Sequence, residues 1–242
     1  MKELIGTFLD YLAVERGLSK NTVVSYRKDL ELFTGFLERR RIDSLSRAKR
    51  EDIADFMADQ KDHGISANSI ARRLQAVKGF YRFLVRERIL KNDPTSLMDS
   101  PKLWKKIPES LSMNEVEVLL AQPDVRKSLG CRDKAILETM YATGMRASEV
   151  VGLKADGVNL DVGFLRCIGK GSKERIIPLG KKAQTAIKRY SEAIRPKLVK
   201  TQGSDFLFLS RFGRRISRQM LWKIVQKYAS SARIKKKIRP HI

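Results

Sequence analysis

Phe164 to Leu179 reads FLRCIGKGSKERIIPL, and along it the spacing of apolar residues stops being helical. Two short apolar runs, Phe164 to Ile168 and Arg175 to Leu179, flank Gly169 to Lys173 (GKGSK), whose glycines suit a tight tip. That arrangement predicts a β-hairpin. On the N-terminal side stands YATGMRASEVVGL, Tyr141 to Leu153, in which Gly144 permits a bend and Arg146 follows at the mouth of a new helix starting near Ser148. Further back, Ile136, Leu137 and Met140 recur at helical spacing, and Ser112 to Glu115 (SMNE) has the capping-box form before Val116, Val118, Leu119 and Leu120. On the C-terminal side helical patterning returns at Ala183 to Tyr190 and at Met220 to Tyr228, and a short basic run, IKKKIR from Ile234 to Arg239, precedes Pro240, His241 and Ile242.

The first ninety or so residues are helical throughout. Leu4, Ile5, Phe8, Leu9 and Leu12 form one stripe, and GLSKN from Gly17 to Asn21 interrupts it. Val23, Val24, Leu30, Phe33 and Leu37 form a second; Ile53, Phe56 and Met57 a third; Ile70, Leu74, Val77, Tyr81 and Leu84 a fourth. The fourth helix carries Arg72, Arg73, Lys78, Arg82 and Arg86 away from most of its apolar stripe, which leaves a basic face either solvated or turned to phosphates. From Asn92 to Pro108 the periodicity lapses into Pro94, Pro101 and Pro108 with Lys102, Lys105 and Lys106. The reading is therefore a helical domain over 1–90, a basic linker over 91–108 and a second domain over 109–242.

Charge narrows the function. Lys and Arg total 50 against 27 acids, a formal net charge of +23 in 242 residues. Self-repulsion of that size is relieved by a polyanion, and nucleic acid is the first candidate. No apolar run approaches the roughly 18 residues that span a bilayer, and the N-terminal stretch carries acids within its apolar pattern, so neither a membrane anchor nor a signal peptide is read. The two cysteines, Cys131 and Cys167, sit in apolar settings without a CxxC or Cys/His cluster, which points to buried thiols in a cytoplasmic protein and to neither disulfide nor zinc. GKGSK lacks the spacing of a nucleotide-binding phosphate loop and is followed by a strand-like run, so no nucleoside triphosphate is expected. Arg146 at its turn can aim a guanidinium fork at a phosphate, or form a surface salt bridge, with Glu149 as partner or orienter.

In combination these motifs are specific. ATGMRASEVVGL, GKGSKERIIPLG, SRQMLW from Ser217 to Trp222 and the terminal PHI, in that order, resemble the Xer family of tyrosine site-specific recombinases, which resolve chromosome dimers. GLSKNTVVSYRKDL, SANSIARRLQAVKGFYRFL and NDPTSLMDSPK extend the resemblance over essentially the whole chain. It implies a mainly α fold with a small β-hairpin or sheet, made of an all-helical core-binding domain and an α/β catalytic domain. It implies DNA cleavage and rejoining through a 3′-phosphotyrosine without metal or cofactor. Arg146 matches the first catalytic arginine, Lys170 the hairpin lysine that acts as general acid, and His241 the histidine opening the HxxR motif. The chain as given stops at Ile242, before the second arginine, the later histidine or tryptophan and the nucleophilic tyrosine, so it is expected to bind DNA without cutting it, and the stretch near Trp222 and Tyr228 to expose an apolar patch. DNA contacts are expected from Arg72, Arg73, Lys78 and Arg82, from Lys173 at the hairpin, and from Arg214, Arg218, Gln219 and Lys223, with Arg218 and Gln219 as base readers. The implied partners are a duplex recombination site, further protomers in a tetrameric synapse and a DNA translocase. A non-catalytic relative that occupies recombination sites or regulates transcription is the alternative; an RNA-associated basic protein would explain the charge but not the ordered motifs.

Overall fold

The computed structural model describes residues 1–99, 110–169, 174–199, 203–236 and 238. The chain divides into two compact units, Met1–Lys106 and Ile107–Ile242. Among its described residues the first holds four helices, α1 (Lys2–Val14), α2 (Lys20–Arg39), α3 (Arg50–Asp62) and α4 (Ala67–Arg86). Two of them start on serine: Ser19 accepts from the Thr22 N–H and Ser66 from the Ser69 N–H, each satisfying a donor that the first turn leaves without an intrahelical partner. Phe8, Phe33, Phe56, Phe80 and Tyr81 are fully buried where the four stripes meet. Val24, by contrast, faces outward, because the stripe of α2 continues through Leu30 and Phe33 rather than through it.

The second unit begins with α5 (Met113–Ala121), α6 (Ser128–Thr143) and α7 (Ala147–Gly152). The Ser112–Glu115 capping box starts α5, with the Ser112 hydroxyl accepting from the Glu115 N–H at 3.2 Å and the Glu115 carboxylate accepting from the Ser112 N–H at 2.7 Å. Gly144 ends α6 in the left-handed conformation, φ +59°, where any side chain would be strained. Three antiparallel strands follow in the order β1 (Val158–Asn159), β2 (Phe164–Ile168) and β3 (Glu174–Pro178). The hairpin register pairs Leu165 with Ile177 and Cys167 with Arg175. One face of the sheet is buried, through Leu165 and Cys167, while β3 is the exposed edge and closes on Pro178, which has no N–H to leave unpaired. The two-residue β1 gave no sequence signal, being too short to show alternation. Helices α8 (Lys181–Ala193), α9 (Arg195–Leu198) and α10 (Arg218–Ser231) complete the unit.

Packed into this core is a polar network. Arg132 donates through Nε and Nη2 to Asp133 Oδ1, at 2.9 and 2.6 Å, and through Nη1 to the Leu209 carbonyl at 3.0 Å. Tyr228, on α10, donates to Asp133 Oδ2 at 2.9 Å. The expectation that Tyr228 lies on an exposed apolar patch is thus corrected: the ring is buried, because its hydroxyl is drawn inward to a carboxylate that needs a second donor, while Trp222 is exposed. Both cysteines are buried free thiols. Among the described residues no helix is long and apolar enough to cross a membrane.

Burial, reinforced by the Asp133 charge, pushes the Tyr228 phenol well above its usual value of 10.0. The folded state therefore holds that proton more tightly than the unfolded chain does. Its contribution is complete below about pH 10 and is lost as the pH climbs through the folded value. Tyr228→Phe is expected to destabilise the second unit by about 1–3 kcal/mol at neutral pH, the cost of leaving a buried carboxylate oxygen short of a donor. Its denaturation midpoint should also fall less steeply than that of the parent above pH 10. Urea titrations of both proteins at pH 7 and at pH 10 to 11 check both outcomes.

Candidate functional site

Arg146 occupies the N-cap of α7, and Glu149, three residues on, reaches back to it. Glu149 Oε2 accepts from the Arg146 backbone N–H at 2.8 Å and Oε1 from its Nη1 at 3.2 Å. The same Oε2 accepts from Nη2 of Arg175, on β3, at 2.8 Å. The Glu149 side chain is only 5% exposed, whereas those of Arg146 and Arg175 are 60% and 43% exposed. A carboxylate tolerates such burial when charged donors surround it, and here two guanidinium groups and a peptide N–H do so. Arg175 is fixed on a second edge, its Nε donating to Cys167 Sγ at 3.2 Å across the hairpin. The hydrogen bond to the Cys167 sulfur, and then the neighbouring Glu149 charge, favour the protonated guanidinium and raise its pKa further.

Two guanidinium charges against one carboxylate leave the cluster one positive charge in excess. Its outer side consists of planar donor forks, the geometry that matches two non-bridging phosphate oxygens. Sequence reasoning found Arg146 and suspected Glu149 but missed Arg175, which reads as an ordinary flank of a hairpin. Lys170 and Lys173, which the sequence reading assigns to the hairpin tip, and His241 lie outside the described residues. Among the described residues no group of three or more His, Cys, Asp or Glu is placed to hold a metal ion.

In the first unit the basic set on α4 divides. Arg72 and Arg82 are exposed. Arg73 instead turns inward, 12% exposed, to Asp29 on α2 at 3.5 Å and to the Gln60 side chain on α3. Lys78 donates to the Met98 carbonyl. The expectation that all five basic residues of this helix turn to solvent or phosphate is corrected for Arg73, which packs over Asp29 and Gln60, and Lys78 is held by the chain that follows the helix. Asp29 is itself buried, and desolvation raises its pKa against the opposing pull of Arg72, at 2.9 Å, and Arg73. On the same helix Arg82 and Arg86 line a hollow of about 360 Å³ together with Arg16, Tyr11 and Tyr26, and the Arg86 guanidinium lies 3.9 Å from the Tyr11 ring centre.

In the second unit a basic and aromatic surface surrounds the start of α10. Ser217 caps the helix by accepting from the Met220 N–H at 3.1 Å, which leaves Arg218 and Gln219 in the exposed first turn beside Trp222 and Lys223. The preceding segment adds Arg211, Arg214 and Arg215, with Arg211 over the exposed Phe212 ring at 4.6 Å and Arg215 over Phe206 at 4.8 Å. Arg211, Phe212 and Arg215 were not singled out in the sequence, because their segment has no periodicity to set them apart.

Comparison with known proteins gives this geometry a lineage. Residues 109–242 match the model of the phage integrase family, and residues 5–88 match that of the phage integrase N-terminal SAM-like domain. The chain is 41% identical over 241 residues to the tyrosine recombinase XerD of Staphylococcus aureus, covering 100% of this chain and 82% of that protein. The fold is similar to that of lambda integrase (75–356), solved as a dimer bound to a COC′ core site, with a TM-score of 0.72, 15% identity and coverage of 97% of this chain and 79% of that one. It is also similar to XerH site-specific recombinase bound to a palindromic difH substrate in a post-cleavage complex, with a TM-score of 0.74, 19% identity and coverage of 93% and 67%. At such identities the structural likeness speaks for the fold, while the sequence identity along the whole chain speaks for descent. The chain belongs to the phage integrase family, as a tyrosine recombinase of the Xer type.

Proposed function

We propose that this chain binds a duplex recombination site and that its second unit is built to stabilise one DNA phosphate during strand transfer through a 3′-phosphotyrosine. The observation that carries this reading is the buried Glu149 carboxylate, which holds the Arg146 guanidinium beside Arg175 while leaving both exposed to solvent. Attack of a tyrosine oxygen on phosphorus gathers negative charge on the non-bridging oxygens and expels a 5′-oxygen that needs a proton. A guanidinium held in place before the reaction meets the first need, and losing one such donor costs about 3–4 kcal/mol of transition-state stabilisation. Lys170 on the hairpin is assigned the proton for the leaving oxygen, and His241 assists at the phosphate. The phosphotyrosine link conserves the phosphodiester's free energy, so rejoining draws on no nucleotide.

DNA affinity in this reading comes from Arg72 and Arg82 in the first unit and from Lys173, Arg214, Arg218, Gln219 and Lys223 in the second. Arg73 and Lys78 are better assigned to holding the first unit together. Arg218 and Gln219 project from the first turn of α10 and suit guanine and adenine in a major groove. The proposal extends to further protomers in a synapse, chromosome dimers as substrate, a DNA translocase as activator and the cytoplasm as compartment; its support is the 41% identity to a Xer recombinase.

None of the six tyrosines is assigned as nucleophile. Tyr81, Tyr190 and Tyr228 are buried and donate to the Leu45 carbonyl, the Leu207 carbonyl and Asp133. Tyr11 lies under Arg86, Tyr26 lines the same hollow, and the Tyr141 hydroxyl rests 3.5 Å from Met113 Sδ. The 242-residue chain is therefore assigned site binding without cleavage, which also suits a regulatory occupant of recombination sites.

Two experiments bear on this reading. Binding isotherms at several salt concentrations should give log K falling by about 0.9 per decade of salt for each phosphate neutralised; a flat dependence refutes DNA as the polyanion. In the same assay Arg218→Ala and Gln219→Ala should each narrow the gap between cognate and scrambled duplexes by about 1–3 kcal/mol, and Arg82→Ala should weaken both duplexes alike. Incubation with a nicked suicide duplex, followed by a denaturing gel, should show no covalent adduct with this chain. A shifted band would identify one of the six tyrosines as the nucleophile.

A further inference from the structure

We propose that Arg175 is a positioning residue for the phosphate site: by occupying Oε2 of Glu149 it keeps that carboxylate from closing on both arms of Arg146, and so leaves the Arg146 fork open to DNA. The inference rests on the phosphate-site reading above. An arginine and a carboxylate left to themselves pair through two parallel N–H···O bonds, and that arrangement uses two of the guanidinium's five donors along one edge. Here the pairing is single. Only Nη1 of Arg146 reaches Glu149, at 3.2 Å to Oε1, and among the described residues no other partner of its guanidinium is seen. Oε2 is already engaged twice, by the Arg146 backbone N–H and by Arg175 Nη2, both at 2.8 Å.

Arg175 is suited to this task by where it is held. Its pairing with Cys167 in the β2–β3 register and the Nε to Sγ hydrogen bond of 3.2 Å fix its guanidinium from the sheet side, independently of Glu149. It therefore acts as a fixed stop and not as a second free cation. Because it is a strand residue just past the hairpin tip, it also ties β3 to the N-terminus of α7 through one carboxylate. Removing the Arg175 guanidinium would free Oε2, and Glu149 would then take a second Arg146 donor, pulling the fork off the phosphate while leaving the charge of Arg146 in place.

Methylphosphonate scanning of a cognate duplex tests the proposal, since each substitution makes one phosphate neutral. Against the parent chain, neutralising the phosphate held by Arg146 should lower affinity by roughly tenfold to a hundredfold, the size of a hydrogen bond between charged groups. Arg146→Met identifies that position by erasing its sensitivity alone. Arg175→Met is expected to erase the sensitivity at the same position, although Arg146 is present, and to leave the other positions unchanged. Glu149→Gln added to Arg175→Met should restore it, because a neutral amide no longer captures the fork. Arg175→Lys, which still offers a cation to Oε2, should keep it. Thermal melts establish that each variant is folded. Sensitivity that persists in folded Arg175→Met overturns the proposal, as does failure of the double variant to restore it. No sensitive position in the parent at all would instead refute the phosphate-site reading.

Discussion

One buried carboxylate governs the second unit's chemistry. Glu149 sits almost wholly out of water, and an unpaired carboxylate there would be costly to the fold of the segment. Its three donors are therefore obligatory. Two come from Arg146, at the first turn of α7, and one from Arg175 on β3. Satisfying Glu149 thus sets where α7 begins, how β3 is attached and where two guanidinium groups reach the surface. The left-handed Gly144 ends α6 two residues earlier, which leaves Arg146 free to stand as the N-cap of α7.

The same device recurs with a different outcome in each core. Asp29 is buried against Arg72 and Arg73, and Asp133 against Arg132 and Tyr228. What differs is how far the arginine lies from solvent. Arg132 is buried and serves only the core, Arg73 is nearly so, and Arg72 and Arg146 keep a free side in water. The net charge of +23 is therefore not a measure of the charge available to a polyanion. That sum already subtracts every acid, but it does not say which of the 50 basic side chains are held by internal acids and which are left facing solvent beside an acid, an aromatic ring or a helix start.

This distinction marks the limit of what the sequence alone reveals. The Ser112–Glu115 box, the bend at Gly144 and the two apolar runs flanking GKGSK are local signals, and the helices and strands they predict are present in the described residues. Arg146 with Glu149 was readable because capping partners are three residues apart. Arg175 was not, since its carboxylate lies 26 residues earlier in the chain. Periodicity placed Arg73 and Lys78 on a polar face of α4, yet it cannot say that Asp29, Gln60 and the Met98 carbonyl stand opposite them. The burial of Tyr228 was hidden for the same reason, because a tyrosine within an apolar stripe carries no sign of an acid 95 residues away.

Arginine is required at position 146 by the two demands the site makes of it. A lysine ammonium is a point charge, and drawn to a buried carboxylate it would spend its position on that partner. A guanidinium can give one edge to Glu149 and still present a planar, charged pair of donors to a second anion. Its charge does not depend on pH over any working range, so the field at a bound phosphate would be constant while the other groups exchange protons. The excess of one positive charge in the Arg146, Arg175 and Glu149 cluster is then matched in sign and size by one phosphodiester. A protein that must hold one phosphate firmly through both cleavage and rejoining has reason to bury the acid that aims the arginine and to leave the arginine itself in reach of solvent.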